Sequence, residues 1–379
     1  MKIAVLEVEC HAEVLRATFQ LFSRLIDFEI TILTTLEIFE ESGINLDSEK
    51  SFSLELKSSK ESDKEFLRRN VDKINKHDYL LINTLQRKFN VYNKLHLKLP
   101  ILIRVHNSNF YWSHNFQDKK LSLSNIRVLI KEFYRFEFLQ RKKFLDKVDC
   151  FLFPSSQTLN YAKKQFNINT NNIQLFPLNF QGDTTLLNKV LSKSKTIVIP
   201  GKVDPLRKDF TLIEQFVKLL STSQLNYVLD LVFLGVNDIN HNQNFIKKLK
   251  SHTTNNLNII SFTDTLNAEV YQSYFQIADI VICPMFTHTV FQLSKEIYGK
   301  TKVSGGVNDA IHFSKLCFVP LSYSVDDELN EQIISFNSAE DLMNKVFSCL
   351  DETYSFPILK DDSYYSQTKQ LEIIQSLFK

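Results

Sequence analysis

The chain has 379 residues, 44 % hydrophobic and 23 % charged, a composition that excludes a disordered chain and predicts two domains rather than one core. The 45 Lys and Arg residues nearly balance the 43 Asp and Glu residues, which leaves a net charge of +2. This balance gives no overall signal for a nucleic-acid partner or for a membrane surface, and we expect no nucleic-acid binding.

The cysteines and the N-terminus predict a cytoplasmic protein. The five cysteine residues show no paired spacing, and three of them lie in apolar, strand-like runs: Cys10, Cys150, Cys283, Cys317 and Cys349. This pattern favours reduced, buried thiols and argues against a zinc site. The N-terminal pattern lacks the apolar stretch and the cleavage site of a signal peptide, so we expect none, and no apolar run approaches the length of a membrane span.

Short apolar runs alternate with helical patterns through the first half of the chain. The predicted strands are residues 2–8, 28–34, 78–84, 100–106, 149–154 and 173–178. Continuous apolar runs suit parallel strands that helices cover on both faces. We therefore expect residues 1–183 to form a doubly wound, Rossmann-like domain.

The basic segment 119–147 combines clustered aromatic residues with Lys and Arg, and its pattern predicts one long helix. Two interpretations are open. The helix could contact an anionic membrane surface peripherally, at the inner face of the membrane. Alternatively, it is an ordinary domain helix whose aromatic stripe faces the core and whose charges are solvated.

The same alternation of strands and helices restarts after a polar stretch at residues 181–195. Its predicted strands are residues 195–201, 227–235, 257–262, 278–284 and 316–321. We expect a second Rossmann-like domain over residues 184–361, and a C-terminal helix, 362–379, that could pack back on the first domain. Ligands of such sheets bind beyond the carboxyl ends of the strands, so a cleft between two facing domains is expected.

A basic turn opens the second predicted domain. Residues 201–209 read Gly-Lys-Val-Asp-Pro-Leu-Arg-Lys-Asp and lie between a predicted strand and a predicted helix at Phe210–Leu220. Its cations and the helix N-terminus could neutralise a diphosphate. A solvated surface turn is the alternative interpretation of the same residues.

A pair of glycines marks a second candidate turn. Gly305 and Gly306 open a predicted helix between two strands, and Asp309 lies one turn into it. Backbone N–H groups at such a start can bind phosphate oxygens, and the carboxylate can accept hydrogen bonds from ribose hydroxyls. Glycines also occur in ordinary turns, so the pair alone does not distinguish a phosphate-binding helix start from an ordinary turn.

Four sequence blocks in this order resemble one family. They read G-K-x-D-x-x-R-K-D-F, L-V-F-L-G, N-I-I-S-F…Y-x-x-x-A-D-I-V-I-C-P and S-G-G-V-N-D-A-I-H-F-S-K-L-C-F-V-P. Together they resemble the C-terminal domain of the large retaining GT-B glycosyltransferase family typified by bacterial mannosyltransferases and sucrose synthases, clearly over residues 195–321. The first half resembles that family in layout only, through P-I-L-I-R-V-H-N and C-F-L-F-P-S-S.

The resemblance implies a nucleotide-sugar-binding C-terminal domain and an acceptor-binding N-terminal domain. The implied contacts to the donor diphosphate come from five residues: Lys202, Lys208, Ser304, Gly305 and Gly306. The loop of Thr263 and Asp264 would hold the nucleobase. His288, in the predicted loop Phe286–Lys295, is either a sugar-pocket residue or an exposed loop histidine.

The resemblance assigns Asp309 to the ribose, where the family usually has the second glutamate of a pair. The first glutamate of that pair would fall on Thr301, which is a departure from the family pattern. Glu296 or Lys302 could substitute for it.

In the first domain, His106 follows the strand Ile101–Val105, at the position where the family commonly has a catalytic histidine. An imidazole there could contact the donor sugar and stabilise an oxocarbenium-like transition state. The alternative is a satisfied structural histidine. His11 and Glu13, in the first strand-helix loop, are candidates for acceptor binding, although a capped helix start explains Glu13 equally well.

The resemblance implies a retaining hexosyltransferase of polysaccharide biosynthesis. It would use a UDP- or GDP-linked sugar as substrate, a glycan or lipid-linked acceptor, and no cofactor. No Asp-x-Asp pattern ends a predicted strand, so we expect no metal, with cations and helix termini in its place. The alternatives are a catalytically degenerate scaffold subunit, which Thr301 favours, and a nucleotide-sugar epimerase.

Overall fold

The computed structural model describes most of the chain, namely residues 1–46, 51–113, 130, 134, 137–166, 168, 172–182, 194–236, 240–351 and 359–378. The chain divides into two compact units. Unit 1 comprises Met1–Leu178, Val290–Lys302 and Gln367–Lys379, and unit 2 comprises Asn179–Thr289 and Val303–Ser366.

The two units differ from the predicted domains at three places. Residues 179–182, predicted in the first domain, and residues 362–366, predicted in the C-terminal helix that could pack on it, belong to unit 2. The predicted second domain, 184–361, includes residues 290–302, which the structure groups with unit 1. The predicted boundary at 183 and 184 lies outside the described residues.

Unit 1 is built on a seven-stranded sheet with the order β3-β2-β1-β4-β5-β6-β7, and all its pairings are parallel. The strands are β1 (Lys2–Glu7), β2 (Glu29–Thr35), β3 (Phe52–Lys57), β4 (Tyr79–Ile82), β5 (Ile101–Arg104), β6 (Cys150–Phe153) and β7 (Ile173–Leu175). The strand order reverses direction between β1 and β4, and such a switch point opens a ligand crevice at the carboxyl ends of the strands.

The helices of unit 1 cover this sheet. They are α1 (Ala12–Phe22), α2 (Leu36–Ser42), α3 (Asp63–Ile74), α4 (Phe89–Lys94), α5 (Ser108–Trp112), α6 (Phe138–Leu145) and α7 (Ser156–Gln165), with the C-terminal helix, numbered α13 (Gln367–Leu377). Helix α13 contacts α1, and Phe378 just after it packs on the rings of Phe22, Phe28 and Tyr79.

Unit 2 is built on a six-stranded sheet with the order β10-β9-β8-β11-β14-β15, again parallel throughout. The strands are β8 (Ser194–Ile199), β9 (Val228–Val236), β10 (Leu257–Phe262), β11 (Ile280–Ile282), β14 (Leu316–Pro320) and β15 (Ile333–Phe336). The helices are α8 (Phe210–Thr222), α9 (Asn240–Lys250), α10 (Ala268–Ile277), α11 (Gly305–His312) and α12 (Ala339–Asp351). Here the order reverses between β8 and β11.

Two edge strands, β3 and β15, were not among the predicted strands. β3 reads Phe-Ser-Leu-Glu-Leu-Lys and none of its residues is fully buried. β15 has only four residues, of which two are buried. An edge strand is covered less than a central one, so its sequence carries a weaker apolar signal.

The predicted loop Phe286–Lys295 is wrong, because β12 (His288–Phe291) and β13 (Ser294–Ile297) form a two-stranded sheet there. The strands are joined by Gln292 and Leu293, whose φ angles are 44° and 75°. Two-residue hairpin turns with positive φ normally carry Asn or Gly. This turn therefore gave no signal in the sequence.

The single long helix predicted over 119–147 is also wrong. Residue Glu137 has a φ of 48° in the left-handed region, and helix α6 begins only after it. A right-handed helix cannot continue through such a residue. Of the rest of the segment, only residues 130 and 134 lie within the described part of the chain.

Within the described ranges, no helix combines the length and the apolar character that a membrane crossing requires.

Candidate functional site

The turn between β8 and α8 in unit 2 is closed by a lysine. The Lys208 ammonium donates hydrogen bonds to the backbone oxygens of Pro200, at 2.7 Å, and Gly201, at 2.5 Å. Asp209 caps α8, because its carboxylate accepts the Leu212 N–H at 3.0 Å. The turn thus folds its cation inward, at the carboxyl end of β8.

The surroundings of Lys208 destabilise the charged form of its side chain. Burial lowers its pKa from 10.5 to about 8. Two of its three protons are bonded to carbonyls, and an ammonium has three donors. An anion at this position would restore the favourable electrostatics that burial removes. Lys202 lies on the same turn with an exposed side chain.

A glycine of the next strand over makes this turn possible. A Cβ on Gly235, in β9, would lie 2.1 Å from the Gly201 oxygen and 2.5 Å from the Lys202 Cα. No side chain fits at that distance from rigid backbone. Sequence reasoning did not assign Gly235 a role, although its place at the end of an apolar run was a usable signal.

The helix that opens with paired glycines meets the same turn. A Cβ on Gly306 would lie 2.5 Å from the Pro200 Cγ and 3.0 Å from the Cys283 Sγ. The first turn of α11 therefore packs against Pro200, whose oxygen accepts a bond from Lys208. Ser304, the residue before α11, makes no side-chain cap. Unit 2 thus brings Lys208 and the start of α11 together at its strand switch point.

The remaining predicted residues of unit 2 lie on nearby elements. The half-buried Asp309 accepts a hydrogen bond from the Tyr271 hydroxyl at 2.8 Å. Thr263 and Asp264 follow β10, are exposed, and share a hydrogen bond of 3.1 Å. His288 is exposed at the first position of β12.

In unit 1, the carboxyl end of β1 carries two carboxylates that sequence reasoning missed. Glu7 is fully buried and accepts hydrogen bonds from the Thr84 hydroxyl and the Glu9 and Cys10 N–H groups. Glu9 accepts the N–H groups of two residues after β4. Burial raises the pKa of Glu7, and raises that of Glu9 to about 7. These side chains hold together a loop that contains no glycine.

His106 lies just after β5 with its tautomer fixed. Its Nε2 lies 2.8 Å from the Asn83 oxygen, and because a carbonyl only accepts, Nε2 carries the proton. Asn83 is itself held by buried Arg104, whose Nε donates to Asn83 Oδ1 at 3.0 Å. The other ring nitrogen of His106, Nδ1, is then the acceptor.

His11 stacks on His106. The ring centroids are 4.6 Å apart and the planes differ by 2°, and His11 Nδ1 lies 2.6 Å from Glu13 Oε1. Burial, followed by the charge on His11, lowers the pKa of His106 well below its usual value. For His11, burial opposes the charge, but hydrogen bonds to Cys10 and Glu13 prevail and raise the pKa. These shifts favour a neutral His106 beside a protonated His11.

Thr301 and Glu296 serve the packing of residues 290–302 on α5. The buried Thr301 accepts the Ile297 N–H at 2.7 Å, and its backbone oxygen accepts the Ser108 N–H at 2.8 Å. The buried Glu296 carboxylate accepts the Phe110 N–H at 2.7 Å. Lys302, the other proposed substitute for the missing glutamate, holds its ammonium over aromatic rings, 4.8 Å from the centre of Tyr298.

Replacing Glu296 with Gln removes part of the pH dependence of stability. Burial raises the Glu296 pKa from 4.5 to about 7, so the folded state binds this proton more tightly than the unfolded state. The free energy of unfolding therefore falls as the pH rises from below 4.5 through 7, by up to about 3 kcal/mol at this position. Urea unfolding at pH 5 and pH 8 checks this.

Glu296→Gln should lose less stability than the wild type between these two pH values. The matched control is Glu269→Gln, which changes an exposed side chain at the start of α10. An equal drop in the wild type and in Glu296→Gln would refute the assignment.

The sequence matches no family model and no curated protein. Solved structures do match along the whole chain. A glycosyltransferase from Rickettsia africae aligns with 100% of this chain and 97% of its own, with 13% identity and a TM-score of 0.59. HepE from Anabaena, solved with UDP, aligns over 100% and 95%, with 13% identity and a TM-score of 0.52.

The chain has the two-domain parallel α/β fold of the GT-B glycosyltransferases. The prediction of two parallel-sheet α/β domains of this fold class is thereby confirmed. The UDP-GlcNAc 2-epimerase from Methanocaldococcus jannaschii is also similar, over 99% of this chain and 100% of its own, with 11% identity and a TM-score of 0.54. At these identities the likeness concerns the fold, and the roles predicted for individual residues stay predictions.

Proposed function

We propose that the chain is a glycosyltransferase that moves a hexosyl unit from a nucleoside-diphosphate sugar to an acceptor with retention of configuration and without a metal ion. The observation that carries this proposal is the meeting of Lys208 and the start of α11 at Pro200. Of the donors expected from the sequence, a UDP-sugar is favoured, because the similar HepE was solved with UDP.

In the proposed enzyme, the donor diphosphate binds in unit 2. The Lys208 ammonium and the N–H groups of Gly305 and Gly306 would donate to its oxygens, with the positive end of the α11 dipole behind them. Ser304 and the exposed Lys202 would add contacts at the rim. These donors stabilise the negative charge of the departing nucleoside diphosphate, the part that a metal ion plays in other enzymes.

The transferred sugar and the acceptor hydroxyl are handled by unit 1 in this account. The Nδ1 of neutral His106 can accept a hydrogen bond from a hydroxyl, because Nε2 is bonded to the Asn83 oxygen. The charged His11, held by Glu13, supplies a fixed polar group for the acceptor. The departing phosphate would take the acceptor proton on the same face, which gives retention.

The acceptor that we propose is a glycan or a lipid-linked sugar of polysaccharide biosynthesis. The proposed transfer takes place in the cytoplasm. Peripheral membrane contact through residues 119–147 belongs to this proposal. Co-sedimentation with vesicles that contain anionic lipid tests it, and recovery of all the protein in the supernatant would refute the membrane contact.

An epimerase is the second candidate, and it is favoured by the similarity to the UDP-GlcNAc 2-epimerase. Incubation with UDP-glucose and UDP-GlcNAc, with and without glycan acceptors, followed by proton NMR, separates the candidates. A transferase releases UDP and a glycoside or free sugar with its anomeric configuration retained. Appearance of an epimeric UDP-sugar would refute transfer, and a scaffold that lacks catalysis would give no product.

A further inference from the structure

A tyrosine of helix α10 is bonded to the carboxylate that the sequence assigns to the ribose. The Tyr271 hydroxyl donates to Asp309 Oδ2 at 2.8 Å. The two residues lie on different helices, α10 and α11, so the bond fixes one helix against the other. Both side chains are half-buried.

Tyr271 is itself held in place. The side chain of Asn267 caps α10 by accepting the Val270 N–H at 2.8 Å, and the Asn267 oxygen accepts the Tyr271 N–H at 3.0 Å. The Tyr271 ring packs on buried Phe275, with centroids 5.2 Å apart. These contacts fix the position of the Tyr271 hydroxyl next to Asp309.

We propose that Tyr271 is a positioning residue, which orients the Asp309 carboxylate for the ribose hydroxyls of the donor nucleotide. This inference rests on the proposed function. A carboxylate can accept about four hydrogen bonds, and the bond from Tyr271 occupies one of these positions on Asp309. Without the Tyr271 hydroxyl, the Asp309 side chain can adopt more rotamers. Ribose binding must then restrict them, which lowers the affinity.

The hydrogen bond from Tyr271 also compensates for the short side chain of Asp309. Aspartate is one methylene shorter than the glutamate that the resemblance leads one to expect at this position. A shorter side chain reaches fewer positions, so its direction decides whether its oxygens meet the ribose. The Tyr271 bond sets that direction, and selectivity for ribose over deoxyribose follows from it.

The test compares two ligands and two variants. Tyr271→Phe removes the hydroxyl and keeps the ring packing. It should weaken UDP binding about fivefold, the scale of one hydrogen bond, and leave the affinity for 2′,3′-dideoxy-UDP unchanged. The control is Tyr274→Phe, on the same helix, whose ring packs on Phe262. It should change neither affinity.

The outcomes separate the inference from the proposed function. If the wild type binds UDP and Tyr271→Phe loses affinity for both ligands equally, or for neither, Tyr271 has no role towards the ribose and the inference is overturned. If the wild type binds no UDP while its thermal melt shows a folded protein, the proposed function fails and the inference fails with it.

Discussion

Replacing Lys208 with alanine lowers the affinity for UDP by about 10- to 150-fold, which corresponds to about 1.5–3 kcal/mol for a charge-assisted hydrogen bond. The ammonium is anchored by the oxygens of Pro200 and Gly201, so it is already placed when the diphosphate arrives. Calorimetric titration of UDP at pH 7 measures the change.

The matched control for Lys208→Ala is Lys218→Ala on α8, which removes an exposed ammonium that pairs with Glu214 at 2.7 Å. It should leave the affinity for UDP unaltered. Unaltered affinity in Lys208→Ala as well, with the variant folded, would refute the assignment of Lys208 to the diphosphate.

The Lys208 pKa gives this affinity a pH dependence. Because burial lowers that pKa to about 8, the side chain loses its charge as the pH rises through 8. Binding of UDP to the wild type should therefore weaken between pH 7 and pH 9, whereas Lys208→Ala should show a flatter profile. Parallel profiles for the two proteins would show that another group is responsible.

Replacing His106 with alanine lowers turnover by about 10²- to 10³-fold, the usual effect of removing one positioned group that stabilises a transition state. The affinity for UDP should stay nearly unchanged, since His106 belongs to unit 1 and the diphosphate site to unit 2. Steady-state kinetics and calorimetry on the same preparation measure the two effects separately.

The control for His106→Ala is His77→Ala, at the amino end of β4. Both ring nitrogens of His77 are hydrogen-bonded, Nδ1 to the Lys73 oxygen and Nε2 to the Thr31 hydroxyl. Its loss should lower the melting temperature and spare turnover per folded molecule. If His106→Ala lost activity only in proportion to its folded fraction, His106 would be structural.

Local sequence patterns were sufficient to predict those parts of the fold that consist of one strand, one turn and the helix that follows. The turn of residues 201–209 and the helix start at Gly305 and Gly306 were predicted because a buried strand, a polar turn and a helical pattern follow one another directly. The central strands were predicted for the same reason. Their burial on both faces leaves continuous apolar runs.

The features that the sequence did not reveal depend on contacts between distant residues. Tyr271 and Asp309 are 38 positions apart, and nothing in the pattern of α10 distinguishes this tyrosine from Tyr274. Glu7 and Thr84 are 77 positions apart. The membership of residues 290–302 in unit 1 depends on bonds to α5, such as that from Phe110 to Glu296, which no local periodicity encodes.

A crystal structure of the protein with UDP tests the central claim most directly. We expect oxygens of the diphosphate to accept hydrogen bonds from the Lys208 ammonium and from the N–H groups of Gly305 and Gly306. UDP bound at any other place, or bound here with its phosphates directed away from these three groups, would contradict it.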